Sequence, residues 1–359
     1  MIKGNDNIKL DFQNKKPEIK SFHLIKAVCA LGIIAYHFSC HLEYRNNFNF
    51  CSFLNGDWGC VLVTVFFMVS GGLLYYNYCH KISLVDYFKK RWKSIFPMFY
   101  IGYFSFELGN IFANNALSFR GDLVPYVFTL LGMDGYFSGV TTTYYIIGEW
   151  FLGAIILLYI LFPLILYFFK KSSVMVLVLS LVFYFVFLGK PIINPQPFWS
   201  ITSCLISFVV GMTIVKYREI LTNNIIALAT LFFLIIMFII KIPISQDISN
   251  HVVGFLLFVI LFFIGNKIMN NSVCEKIFTK LSKLSYAIFL LQHITIIKVL
   301  GVSNPESTLK LWVLLIGTVI LTVIQAEMLN ITTKHFVCQI EKAIFKIFSS
   351  RKQEVIKGK

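Results

Sequence analysis

The chain has 359 residues, 57% of them hydrophobic, 17% aromatic and 14% charged, with a formal net charge of +15. Average soluble domains are about a quarter charged, so this composition excludes a soluble globular protein and points to a chain built for lipid. The basic excess alone would suit nucleic acid, but its distribution along the chain argues against that partner.

Taken in chain order, ten apolar runs are spaced along the sequence: 24–42, 59–77, 95–113, 150–169, 173–189, 198–216, 223–240, 251–268, 284–300 and 311–333. They have about the length that crosses a hydrocarbon core of about 30 Å. The stretch 123–137 is too short to span and reads as re-entrant or interfacial. The expected fold class is therefore all-α, a polytopic membrane protein of about ten transmembrane helices. It divides into an N-terminal tail (1–23), a membrane domain (24–333) and a basic C-terminal tail (334–359), with no soluble module and no cleavable leader.

If the N-terminus lies inside, only Arg45, Arg120, Lys190, Lys241 and Lys310 fall on outer segments. Lys26 and Lys298 lie within spans, and every other Lys and Arg of the 32 lies on an inner segment. That asymmetry is the signature of cytoplasmic loops and predicts both termini in the cytoplasm. The eight cysteines show no CxxC or CxxH spacing, so no metal site is expected. A disulfide among Cys40, Cys51 and Cys60, near the outer side, is open but not expected.

The first span, "LIKAVCALGIIAYHFSC", carries Lys26 and His37. Eleven residues of α-helix make three turns plus about 20° and rise about 16.5 Å, so both lie on nearly one face. Snorkelling of the lysine with an interhelical histidine bond is one reading. A proton-transfer histidine near the bilayer midplane is the other. His41 would share this face at the outer end. The second span holds Ser70, Gly71 and Gly72, small residues suited to close helix packing. Lys90, Arg91 and Lys93 then form a basic cluster before Pro97, read either as inside charge or as a phosphate clamp.

These stretches together resemble the acyltransferase-3 family of integral membrane acyltransferases, which includes bacterial O-antigen and exopolysaccharide O-acetyltransferases. Lys26-x10-His37 is similar to the family's Arg-x10-His. Phe66, Phe67, Ser70, Gly71, Leu73 and Leu74 match its second-span pattern, and "KKRWKSIFP" resembles its basic segment before Ile-x-Pro. Arg91-x-x-Ser94 lacks the family's second arginine, while Lys90-x-x-Lys93 keeps the charges one position earlier. "GEWFLGAIILLYILFPLI" (Trp150, Phe151, Leu152, Tyr159, Pro163) and "LSKLSYAIFLLQHITII" (Ser285, Tyr286, Phe289, Leu290, His293) are similar to two later helices.

The resemblance implies transfer of an acyl group, commonly acetyl, from cytosolic acyl-CoA to a hydroxyl of a cell-surface glycan or lipid-linked sugar, in a bacterial cell membrane. It implies catalytic roles for His37 and Lys26, with donor binding at Lys90, Arg91 and Lys93. His37 would act as a base or carry the acyl group as an acyl-imidazole. Glu149, Trp150 and Asp134 are candidates for the acceptor side, though Glu149 reads equally as a solvated neighbour of an interfacial tryptophan. His293 and Ser70 are further candidates, and the segment 114–148 is the expected acceptor-recognition region. The implied partners are acyl-CoA, the glycan and the lipid bilayer, with no nucleic acid. A glycan exporter or flippase without acyl-transfer chemistry is the alternative.

Overall fold

The computed structural model describes residues 17–42, 51, 57–114, 124–144, 146–190, 192, 196–240, 242–302 and 307–357. The outer cations Arg45, Arg120 and Lys241 lie outside the described residues, as does 115–123 of the expected acceptor-recognition region. Twelve helices and two 3₁₀ turns, with no strand, make up the described residues. They are α1 (Ser21–Cys40), α2 (Trp58–Tyr78), α3 (Leu84–Asn114), α4 (Val124–Leu130), α5 (Asp134–Phe137) and α6 (Glu149–Lys171), then α7 (Ser173–Val186), α8 (Ile201–Lys216), α9 (Asn224–Ile239), α10 (Gln246–Ile268), α11 (Ser272–Gly301) and α12 (Thr308–Lys357).

Every apolar run read from the sequence falls on one of these helices. By length and composition, α1, α2, α6, α10, α11 and α12 are long and apolar enough to cross a membrane. The helices α7, α8 and α9 have 14, 16 and 16 residues, and at 1.5 Å per residue even 16 fall short of a core of about 30 Å. In α3 the half that follows Lys93 carries Pro97, Glu107 and Asn110 among its apolar residues. The basic C-terminal segment is not a separate element, since α12 continues unbroken through it to Lys357.

Local chemistry sets the helix ends. The side chains of Ser172, Asn223, Ser245 and Asn271 accept backbone N–H groups at the starts of α7, α9, α10 and α11. Each satisfies a donor that has no partner inside its helix. The core is built on α1, α2, α6, α8 and α11, with α1 against α11 and α2 along α8. Gly71 and Gly211 make that second crossing: a Cβ at either would overlap a backbone carbonyl of the other helix, Phe208 or Met68. The helices thus meet backbone to backbone, as small residues allow.

The outer helices have the reverse pattern of a soluble protein. In α7 the buried positions are Ser173, Ser180 and Tyr184, while Val178, Val182 and Phe185 are exposed. In α9 Ala227, Thr230 and Leu234 face inward, and Leu228, Phe232 and Ile239 face outward. Ile316, Ile320 and Ile324 do the same on α12. A belt of this kind is stable only where lipid covers it.

Two histidines near the ends of α1 and α10 are packed against neighbouring helices. His23 is buried and bonds Ser282 Oγ at 3.0 Å through Nδ1. His251 lies between the hydroxyls of Ser203 and Ser207, at 2.9 and 3.0 Å. His251 thus bonds through both ring nitrogens, and the Nε2 of His23 lies 2.9 Å from Glu18 Oε1, partners that a buried polar ring requires.

Candidate active site

Three helices converge on one carboxylate. Glu149 is the first residue of α6, introduced by Gly148 in the left-handed region (φ 89°), a conformation glycine adopts without steric cost. A carboxylate in the first helical turn also faces the positive end of the helix dipole. His37, near the end of α1, places Nε2 3.3 Å from Glu149 Oε2. His293, on α11, places Nε2 3.0 Å from Oε1, and the neighbouring Gln292 donates to Oε1 at 2.9 Å. The two imidazole rings lie 4.1 Å apart between centroids. His41 extends the chain outward, its Nε2 3.3 Å from His293 Nδ1.

Glu149 is only 9% exposed. A buried carboxylate needs compensating donors, and here one amide and two imidazoles supply them. The three residues His37, Glu149 and His293 also present donor atoms within 4.8 Å of one another, a set that could hold a metal ion. In the structure these atoms engage one another directly, the two imidazoles and Gln292 meeting the carboxylate oxygens.

The cluster forms one end of a cavity of about 700 Å³. Its walls include Phe66, Phe151 and Phe289, and Ser70 lines it between the ends. The other end holds Lys26, Arg91 and Lys283. Lys26 lies eleven residues before His37 on α1, about 16.5 Å along the helix axis. Among the described residues no carboxylate lies within ion-pair distance of Lys26 or Arg91, while Arg91 stacks over Tyr159 at 5.5 Å and its buried Nε has no hydrogen-bond partner. Half-buried cations without carboxylate partners suit an anionic ligand.

The structure divides the basic cluster. Arg91 reaches the cavity, whereas Lys90 and Lys93 do not line it; Lys93 pairs with Glu341 of α12. Among the acceptor candidates, Trp150 lines the histidine end, stacked on Trp199 with ring centroids 5.2 Å apart and planes within 9°. Glu149 is buried rather than solvated, with its oxygens engaged by the two histidines and Gln292. Asp134 lies outside the lining: it is buried, accepts from Thr129 Oγ1 at 3.1 Å, and has its other oxygen unpaired. Burial pushes its pKa up to about 6.

Sequence reasoning missed Gln292, Lys283 and Trp199 as cavity residues. An amide inside the apolar run "LLQHITII" was the available signal for the first; Trp199 sits on a 3₁₀ turn and carries none.

Compared with known proteins, residues 19–326 match the family model Acyl_transf_3, described as an acyltransferase domain. No curated protein and no solved structure matches the chain.

Proposed function

The chain belongs to the acyltransferase-3 family, and on that premise we propose that it moves an acyl group, acetyl first among candidates, from cytosolic acyl-CoA to a hydroxyl of a cell-surface glycan or lipid-linked sugar. It works in a bacterial cell membrane with about ten membrane segments, the shorter α7, α8 and α9 among them, and with both termini in the cytoplasm. The observation that carries this reading is the single cavity joining Lys26 and Arg91 at one end to His37, Glu149 and His293 at the other.

The phosphates of the donor bind Lys26 and Arg91, and the pantetheine arm runs along the aromatic wall to bring the thioester to His37. The acceptor ring enters at the Trp150–Trp199 end. With its Nε2–H given to Glu149, His37 keeps a lone pair on Nδ1 and takes the proton of the acceptor hydroxyl as the oxygen attacks the thioester carbonyl. The tetrahedral intermediate expels the coenzyme A thiolate, which receives that proton from the imidazolium, leaving an ester and a free thiol. Glu149 stabilises the imidazolium between these steps and holds the ring in one tautomer, with His293 and Gln292 fixing the carboxylate. The family gives no support to an exporter without chemistry.

Membranes containing the chain, incubated with acetyl-labelled acetyl-CoA, test the reading. Label should pass into glycan or lipid-linked material; label that stays in acetyl-CoA or free acetate across a panel of hydroxyl acceptors would contradict it.

A further inference from the structure

We propose that Cys40 and Cys51 form a disulfide that clamps the outer end of α1 to the approach of α2, beside the histidine cluster. Cys40 is the last residue of α1 and is exposed. Its Sγ lies 3.0 Å from that of Cys51. Cys51 is held from two further sides: its Sγ is 3.6 Å from the carbonyl oxygen of Tyr36, and its own carbonyl accepts the N–H of Trp58, the first residue of α2, at 3.2 Å. The pair is therefore positioned by both helices and does not depend on the intervening residues 43–50.

The location gives the bond a purpose. The last turn of α1 contains His37 and is followed by His41, whose N–H bonds the carbonyl of His37. Tyr36 packs against the His37 ring with centroids 5.0 Å apart. Helix ends fray because their last carbonyls lack intrahelical donors, and fraying here would move both histidines away from Glu149 and His293. A covalent link from Cys40 to Cys51 removes that freedom from one side of the cluster.

The inference rests on the proposed orientation, which puts both cysteines outside the cytoplasm, where disulfides persist. The co-reactant is a thiol oxidoreductase carrying a disulfide. The exposed Cys40, as thiolate, attacks that disulfide and releases one of its sulfurs; the Cys51 thiolate then attacks the mixed disulfide and releases the other. Two S–H bonds are lost, one S–S bond forms, and the two electrons and two protons leave with the oxidoreductase as its dithiol.

The test uses the full chain in its membrane. Free thiols are blocked with N-ethylmaleimide under denaturing, non-reducing conditions, and thiols released by reduction are then labelled with a mass-tagged maleimide. Two of the eight cysteines should take the tag only after reduction, mapping to Cys40 and Cys51. Cys60→Ser should leave the pattern unchanged, and Cys51→Ser should leave no cysteine that needs reduction. Complete blocking of all eight in the wild type would overturn the disulfide. Orientation is read separately: in Cys51→Ser, a membrane-impermeant maleimide added to intact cells should label Cys40. Labelling there with all eight thiols free in the wild type would retire the disulfide and keep the topology; no labelling would overturn the topology on which it rests. The clamp itself predicts that reduction lowers the melting temperature of the wild type to that of Cys40→Ala/Cys51→Ala, and equal melting with and without reductant would refute it.

Discussion

At the scale of single residues the proposed chemistry rests on Glu149 and its partners. Glu149→Gln keeps the shape but replaces one carboxylate oxygen with a donor facing an imidazole N–H, so His37 loses both its tautomer and its counter-charge. Turnover should fall by about 100-fold or more, a typical size for losing acid–base assistance, with little change in donor KM. His293→Ala should act in the same direction through the carboxylate it orients. At the far end of the cavity, Lys26→Arg should retain near-normal transfer because the cation is kept, and Lys26→Ala should lose most of it. Normal turnover in Glu149→Gln would make the cluster structural.

Asp134 belongs to the same scale but to stability. Its carboxyl titrates near pH 6 when buried, against an ordinary value of 3.8. Below the ordinary value both folded and unfolded chains hold the proton, so there is no penalty. As pH rises through 3.8 toward 6 the unfolded chain releases a proton that the folded chain keeps, and stability falls until the penalty is complete above about 6. Asp134→Asn should therefore raise the melting temperature at pH 7.5, by an equivalent of up to about 3 kcal/mol, and change it little at pH 4. Equal shifts at both pH values would contradict this account.

Helices, rather than residues, explain what the sequence could and could not reveal. The Lys26–His37 pair was legible because both lie on α1, where 3.6-residue periodicity fixes their faces. The meeting of His37 with Glu149 and His293 was not, because it depends on how α1, α6 and α11 pack, which no local pattern encodes. His293, a further candidate in the sequence, bonds across helices to the Glu149 carboxylate, a partner that only the packing of α6 against α11 supplies. The basic cluster on α3 was visible as charge, yet helical rotation sends Arg91 to the cavity and leaves Lys90 and Lys93 outside it. Arg91→Ala should accordingly raise the acyl-CoA KM, whereas Lys90→Ala with Lys93→Ala should leave it unchanged. A crossing prediction follows from the glycines of α2 and α8. Gly71→Val forces those backbones apart and should abolish stable insertion or assembly, read as loss of a monodisperse purified protein; full recovery would mean that the crossing is looser than described.

Across the whole molecule, the apolar belt on α7, α9 and α12 and the cavity between α1, α6 and α11 fit a multi-pass membrane acyltransferase. The ten runs were legible because apolar length is a local property; the exact ends of α7, α8 and α9 were not, since α7 stops at Val186 although Phe187 and Leu188 continue the apolar run. Reporter fusions after Lys171, Lys216 and Lys359 should read cytoplasmic, and those near Asn115, Pro191 and Ser303 should read external. An external C-terminus would put Lys26 and Arg91 on the wrong side for coenzyme A.

The central claim is that one cavity binds the donor at its basic end and reacts at its histidine end. The most direct measurement is a comparison of acetyl-CoA binding and acetyl transfer by the purified wild type, His37→Ala and Arg91→Ala. His37→Ala should bind acetyl-CoA with unchanged affinity and transfer nothing above background, while Arg91→Ala should bind several-fold more weakly and recover most of its turnover at saturating donor. Transfer by His37→Ala at a rate near the wild type, or loss of turnover without loss of affinity in Arg91→Ala, would contradict it.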